Sequence, residues 1–451
     1  MLHYDGMSPE PHHANIVDIF ICHRFAVVKF MEIIRRLRTA YFMLNIIWLS
    51  FFFIAFLCAA YRLFILGDTT AFNDITLATF TLSKTAFEIA LGLTGVLCFW
   101  MGIMKIGEKS GFIELLTRFL SPLLKRLMSE VPANHPAFGA MVMNLSANML
   151  GLDNAATPLG IRAMQHLQTL NPLKDTASNA QILFLVINTS AVTLFPLTIF
   201  TYRAQMGAAD PTDVFIPILI ATYASTMAGL IAVASVQKIK LYDPIILAYL
   251  GGFSALVAGI LMYFSGLEQI AMQQQSALVS NFIIFTLIIV FMAGALRKRI
   301  NVYESFIEGA KDGFQTAVMI IPYLVAMLVA IGVFRASGAL DIALNGVRSF
   351  LSVFSLDDRF VDALPTAFMK PLSGSGARAM MIETMQIHGA DSFAGRLSSI
   401  VQGSTETTFY VLAVYFGAVG IKKARYAVAC GLFADFVGII VAICIAYLFF
   451  A

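Results

Sequence analysis

Charge is what this sequence lacks. Of 451 residues, only 13% are Asp, Glu, Lys or Arg, while 59% are hydrophobic; soluble domains run to about half apolar and about a quarter charged. So little charge cannot cover a water-facing surface, and the mean hydropathy of +0.80 points the same way. The five cysteines (Cys22, Cys58, Cys98, Cys430, Cys444) show no CxxC or metal-ligand spacing. Four lie in apolar runs, where Cys acts as a small hydrophobe. Walker A, HExxH and nucleophile-elbow motifs are missing. Four of the seven histidines (His3, His12, His13, His23) fall in the N-terminal stretch, with His135, His166 and His388 scattered. Catalysis, a bound cofactor and a metal centre therefore find no support in the residues. The net charge of +3 sits in short loops, which speaks for membrane topology rather than for binding DNA or RNA.

Long apolar runs take the place of charge. They predict spans near 42–66, 83–104, 180–201, 213–236, 243–265, 277–296, 314–335, 406–420 and 425–449, since about 20 apolar residues cross a hydrocarbon core of about 30 Å. Two further stretches, 133–165 and 358–388, are apolar but interrupted by Gly, Pro, Asn and Ser. Irregular backbone at membrane depth survives only where protein or a cavity satisfies it, so each reads as a re-entrant hairpin or broken helix. Segments 110–129 and 338–353 have the pattern of amphipathic helices lying in the interface. The expected class is an all-α polytopic membrane protein with about eight to ten spanning helices.

The chain also repeats itself. Gly160-Ile161-Arg162-Ala163-Met164 matches Gly376-Ala377-Arg378-Ala379-Met380, Leu145-Ser146 matches Leu372-Ser373, and Asn188-Thr189-Ser190 aligns with Gln402-Gly403-Ser404. Basic residues beside the spans put Arg35, Arg36, Arg38, Lys105, Lys109, Arg118, Lys125, Arg126, Lys238, Lys240, Arg297, Lys298, Arg299, Lys422, Lys423 and Arg425 on one side, the cytoplasmic one, with Arg203, Arg335 and Arg348 as exceptions. Span 83–104 then runs opposite to its counterpart 314–335, so the two repeats are inverted, an arrangement common among secondary transporters. The division this suggests is an N-terminal cytoplasmic tail (1–40), disordered or upstream of the true start, a first half (41–240), connecting helices (241–300) and a second half (301–451).

Polar residues concentrate in four places within this apolar chain. The first broken segment carries Asn144, Ser146, Asn148, Asp153, Asn154 and Thr157, with Gly151 and Pro158 expected to break the helix and Asp153 or Asn154 to cap the next one. Its counterpart, Lys370-Pro371-Leu372-Ser373-Gly374-Ser375-Gly376-Ala377-Arg378, lets backbone approach a ligand closely. Arg162 and Arg378 are equivalent; each suits an anion, a carboxylate such as Asp153 or Glu383, or the interface. Two spans have polar centres, Asn188-Thr189-Ser190 and Gln402 with Ser404, Thr405 and Glu406. Such residues are costly in lipid and face a bundle interior or a water-filled path. Glu406 suits a coupling cation or proton as well as a structural hydrogen bond; Glu88 and Asp435 are weaker candidates expected near the ends of their spans. Self-capping would also explain some of these groups, although capping alone needs only one or two of them per break.

These motifs resemble a known family. Residues from about 31 to 240 are similar to spore maturation protein A through Asn144–Asn148, Gly151–Gly160 and Asn188–Ser190, and residues from about 277 to 451 to spore maturation protein B through Lys370–Arg378 and Gln402–Tyr410. The chain thus looks like a fusion of two nucleoside-recognition, or gate, domains. The resemblance implies a multi-pass protein of the bacterial inner membrane, its N-terminus cytoplasmic, that moves a small polar or nucleoside-like solute. A membrane scaffold or regulator of the spore-maturation type, or a carrier of an amphiphilic or lipid-linked substrate, is the alternative implied. Membrane lipids and a small polar solute are the expected partners, nucleic acid is not, and a homo-oligomer is left open.

Overall fold

The structure, a computed structural model, describes residues 45–151 and 153–451, giving only the backbone for 153–155. The expected tail (1–40), with Cys22, Arg35, Arg36 and Arg38, lies outside the described residues. All regular elements described are helical. Seven helices are long and apolar enough to cross a membrane: α1 (Asn45–Phe64), α2 (Ala71–Ser110), α8 (Phe215–Gln237), α9 (Pro244–Ser265), α10 (Gln269–Arg297), α11 (Val302–Ala336) and α17 (Ala427–Phe450).

The shorter helices lie between these. After α2 comes α3 (Phe112–Leu127), amphipathic as expected, then α4 (Pro136–Met149) and α5 (Asp153–Leu170). The expected continuous span at 180–201 is broken in two: α6 (Asn179–Thr189) and α7 (Leu197–Gln205) are separated by non-helical residues 190–196. In the second half, α12 (Ala339–Val353) lies as α3 does, followed by a short 3-10 turn (Val361–Ala363), α13 (Leu364–Met369), α14 (Gly374–His388), α15 (Phe393–Ser404) and α16 (Thr408–Ala418). The apolar run 406–420 is therefore only the latter part of a crossing that begins at Phe393. A run of that length is too short to span alone. Its first half, Leu397 to Ser404, is buried in protein and so needs no lipid-compatible surface. The seven long helices and these two discontinuous ones account for every expected crossing.

Both hairpins enter and leave at one face. In the first, Thr169 Oγ1 near the end of α5 lies 3.4 Å from Nε2 of His135, the N-cap of α4. In the second, Asp362 before α13 meets His388 at the end of α14 at 3.8 Å. Gly151, at φ +72°, stands in the break of the first hairpin; Pro158 does not break it but sits inside α5, at the cost of the i→i−4 hydrogen bond its missing N–H would make.

Matching elements of the two halves lie antiparallel. Along the α2–α11 crossing, Gly332 packs on Leu82, Gly313 on Leu97 and Cys98, Gly309 on Met101 and Lys105, and Glu308 pairs with Lys109. Sequence number rises on one helix as it falls on the other. The same holds for α8 and α17, where Gly229 packs on Ala434 and Gly438 on Ser225. The loops interlock reciprocally. Asp175, between the first hairpin and α6, accepts from the Lys422 and Lys423 amides at 2.7 and 2.9 Å. Ala390, between the second hairpin and α15, accepts from Arg203 at 2.7 Å. The repeats are inverted, related by a pseudo-twofold axis across the long helices. The molecule therefore has an α3 end, with the basic loops 238–243, 298–301 and 419–426, and an α12 end.

The three arginine exceptions all sit at the α12 end and are paired. Arg203 is fully buried, 2.9 Å from Asp213 and 3.1 Å from Asp391, while Arg396 meets Asp213 at 2.7 Å. Arg335 lies 2.6 Å from Glu383, and Arg348 the same distance from Asp362. Arg359 and then Tyr447 hydrogen-bond Asp357 in the loop beside them, pulling its carboxyl down to about 2. Large exposed apolar side chains such as Phe53, Phe56, Leu57, Phe80, Phe282 and Phe285 cover the outside of α1, α2 and α10, a lipid-facing belt.

Candidate functional site

The four irregular segments converge. The tip of the first hairpin bonds its own half's helix break, with the Leu194 amide donating to the Met149 carbonyl at 2.8 Å. Gly151 permits this approach, since a Cβ there would lie 2.8 Å from the Phe195 carbonyl oxygen. The second half repeats the pattern: the Phe409 amide donates to the Pro371 carbonyl at 3.1 Å. A third bond joins the halves directly, from the Glu406 amide to the Thr189 carbonyl at 2.8 Å. Where the two helices stop, backbone groups are thus paired across the junction, as membrane depth demands.

A polar cavity of about 70 Å³ lies at this junction, bounded by Asn148, Thr193, Lys370, Arg378, Gln402 and Glu406, with Thr405 and Thr407 beside them. Both hairpin tips and both breaks contribute to its wall. Its charge is mixed: Lys370 and Arg378 come from the second hairpin and Glu406 from the second break. Gln402 Oε1 and Thr405 Oγ1 have no hydrogen-bond partner, and buried groups left so are costly unless a ligand or water completes them.

Of the expected residues, Asn148, Arg378, Gln402, Thr405 and Glu406 line this cavity. Asn144 and Asn188 stand behind Asn148 in a polar lock. Asn148 Nδ2 donates to Asn188 Oδ1 at 2.7 Å, and Asn144 Nδ2 donates to the Ala156 carbonyl at 2.7 Å and to Tyr415 Oη at 3.0 Å. Tyr415 Oη donates on to Asn188 Oδ1 at 3.4 Å. Ser146 is buried nearby without a hydrogen-bond partner for its hydroxyl. Thr189, Ser190 and Ser404 instead donate back to carbonyls of their own helices, at Val186 and Val401, 2.8 to 3.0 Å away. Ser373 caps α14 by accepting from the Gly376 amide at 3.0 Å and contacts Ser375 at 3.2 Å. Thr157 is half-buried on α5 and outside the cavity wall. The side chains of Asp153 and Asn154 lie outside the described residues.

The two arginines differ. Arg378 places its guanidinium 5.6 Å from the Tyr202 ring, while Glu383 is taken by Arg335; Arg162 is exposed. Glu88 is also exposed, with Lys84 at 3.6 Å. Asp435, expected near a span end, is 1% exposed and hydrogen-bonded by Thr408 at 2.7 Å. Lys370 and Tyr415 were missed. Lys370 sits in the quoted Lys-Pro-Leu-Ser-Gly-Ser motif and could have been picked out as an uncommon charge at membrane depth. Tyr415 has no local signal, as its partners lie more than 200 positions away.

The fold and this junction define an all-α polytopic membrane protein built from two inverted repeats around a shared polar centre. The gate family, described as nucleoside recognition, matches residues 90–208 and 317–422, one match in each repeat. Spore maturation protein B of Bacillus subtilis (strain 168) is 45% identical over 176 residues, covering 38% of this chain and 97% of that protein. Spore maturation protein A of the same organism is 40% identical over 189 residues, covering 42% and 93% respectively. No solved structure matches. The chain belongs to this nucleoside-recognition gate family and unites regions similar to both spore maturation proteins.

Proposed function

We propose that this is an inner-membrane protein of transporter type, in which the two repeats rock about the central cavity and expose it to each side in turn. One observation carries the reading: hairpin tips and helix breaks from oppositely oriented repeats meet around a single polar cavity. Supporting it, the α3 end collects the basic loops and is therefore the cytoplasmic side. The solute is small and polar. It is recognised by amide and hydroxyl groups of Asn148, Gln402 and Thr405 and by the mixed charge of Lys370, Arg378 and Glu406. At about 70 Å³ the cavity is well below the roughly 300 Å³ at which pockets for drug-sized ligands begin, so a nucleoside-sized solute requires the repeats to part. Glu406, whose amide already bridges the halves, is suited to hold a coupling cation or proton.

The experiment is ligand-induced thermal stabilisation of the purified chain across nucleosides and other small polar metabolites, followed by uptake into proteoliposomes. A true solute at 100 times its Kd should stabilise by about 2.7 kcal/mol. Gln402→Ala, Arg378→Ala and Glu406→Gln should each weaken that shift at least tenfold in concentration. The polar lock, whose groups largely satisfy each other, favours a second reading as a membrane scaffold. A panel without any stabilising solute, with the three variants indistinguishable from the parent, would leave the scaffold standing.

A further inference from the structure

Behind the cavity wall, α17 carries one carboxylate, Asp435. It is 1% exposed and flanked on the same helix face by Gly431 and Gly438. The glycines let the second helix break press against α17. A Cβ at Gly431 would lie 2.9 Å from Thr408 Cγ2, and one at Gly438 would lie 2.9 Å from Thr405 Cγ2. Thr408 Oγ1 donates to Asp435 Oδ2 at 2.7 Å. Thr405, 3% exposed, presents its hydroxyl to the same carboxyl from the break, without closing a full hydrogen bond to Oδ1. The charged groups acting on Asp435 from neighbouring elements are Lys370, at the tip of the second hairpin, and Glu406, in the break. The other packed elements present untitratable groups: Ser225 on α8, which donates to the Ala434 carbonyl at 3.0 Å, and Thr189 at the end of α6.

We propose that Asp435 is a proton-binding site through which protonation controls the joint between the second hairpin tip and the second helix break. A proton taken from solvent onto Oδ1 removes the charge from a carboxyl with almost no access to water. Loss of the proton leaves a buried carboxylate that draws on the Thr408 and Thr405 hydroxyls and on Lys370 to offset its desolvation. Lys370 belongs to the hairpin tip that also walls the cavity, so the protonation state of Asp435 reaches the central site through one side chain. The same oxygens would suit a sodium ion. The proton is favoured because Lys370 already supplies a positive charge there and because Asp435 lies outside the cavity wall. The inference rests on the transport reading only for its purpose, as proton coupling; the binding itself does not require a solute.

The test is thermal unfolding of the purified full-length chain from pH 5 to pH 9, in sodium and in choline chloride at equal ionic strength. The parent should lose several degrees of midpoint as pH rises, equally in both salts. Asp435→Asn, which mimics the neutral form, should remove most of that dependence. Thr405→Val should shift the profile to higher pH by half a unit or more, because it removes a hydroxyl able to donate to the ionised carboxylate. Parallel pH profiles for the parent and both variants overturn the proposal. So does stabilisation by sodium alone that Asp435→Asn abolishes, which assigns the site to a cation. If Asp435→Asn does not fold, an unshifted Thr405→Val profile is enough to overturn it. An Asp435-dependent profile in a protein that moves no solute defeats the transport reading and leaves this one intact.

Discussion

The Tyr415 hydroxyl touches both Asn144 and Asn188 of the lock, and it comes from the opposite repeat. Gly160 lies directly under it: a Cβ there would run into the Tyr415 hydroxyl and ring. Tyr415→Phe should therefore cost about 0.6–1.5 kcal/mol, the range from membrane-protein hydrogen bonds to buried bonds in general. Gly160→Ala should cost about 1–3 kcal/mol by overpacking. Unfolding midpoints of the purified protein check both; a neutral Gly160→Ala would show that the tyrosine has somewhere else to go. At this scale the sequence was a good guide to residue type and a poor one to residue role. Polar groups in apolar runs marked the junction, and Asn148, Arg378, Gln402, Thr405 and Glu406 do line the cavity. Thr189, Ser190 and Ser404 have the same composition signal but bond their own helices, a distinction set by rotamer and neighbour rather than by spacing. Asp435 gave a weak signal because the residues around it, Thr408 as donor and Thr405 beside it, reach it from about 30 positions away.

Helix by helix, apolar run length located every crossing, and misjudged the two whose middles are non-helical. A run test cannot tell a continuous span from two half-helices sharing one path, since both present the same total apolar length. The clue was the polar centre at 190–196 and 405–407, which a continuous helix would have to bury unsatisfied. The crossing of α2 and α11 had a signal too: Gly309 and Gly313, four apart, form the small-residue pattern that lets membrane helices approach closely. At the α12 end, the Arg203–Asp213–Asp391–Arg396 cluster clamps the loop after α7 to the loop before α15. Arg203 is completely buried, so removing it leaves Asp213, 5% exposed, with Arg396 alone at 2.7 Å and takes the donor from the Ala390 carbonyl. Arg203→Ala should cost about 2–3 kcal/mol. Raising salt should change that loss little, since buried pairs are screened weakly. A loss below about 1 kcal/mol, or one that vanishes at high salt, would mean that the cluster behaves as an exposed pair.

For the whole molecule, inversion makes the two ends comparable and their differences meaningful. The α12 end is held by the buried ion cluster. The α3 end is joined by backbone bonds from Lys422 and Lys423 to Asp175, with an ion pair from Lys423 at 3.8 Å whose side chains are more than half exposed. The α3 end also holds a cleft of about 630 Å³ bounded by Lys125, Arg126, Lys238, Lys240, Glu130 and Asp243. A protein that alternates between two open states from this starting point should open first where the clamp is weaker, at the α3 end. The basic loops gather there, so this is the end expected to face the cytoplasm. In a background with its five native cysteines replaced, single cysteines at Lys240 and Lys423 should then react with a membrane-impermeant thiol reagent in inverted vesicles and not in right-side-out ones. Cysteines at Asp357 and Arg359, in the loop at the α12 end, should do the reverse. Lys238 and Lys240 lie in a different repeat from Lys422 and Lys423, so agreement between positions 240 and 423 tests the inverted topology as well as its orientation. Labelling of 240 and 423 from opposite sides would require an odd number of crossings between them. That would break the count of four crossings, α9, α10, α11 and the discontinuous α15–α16, and with it the inverted arrangement on which the central junction depends.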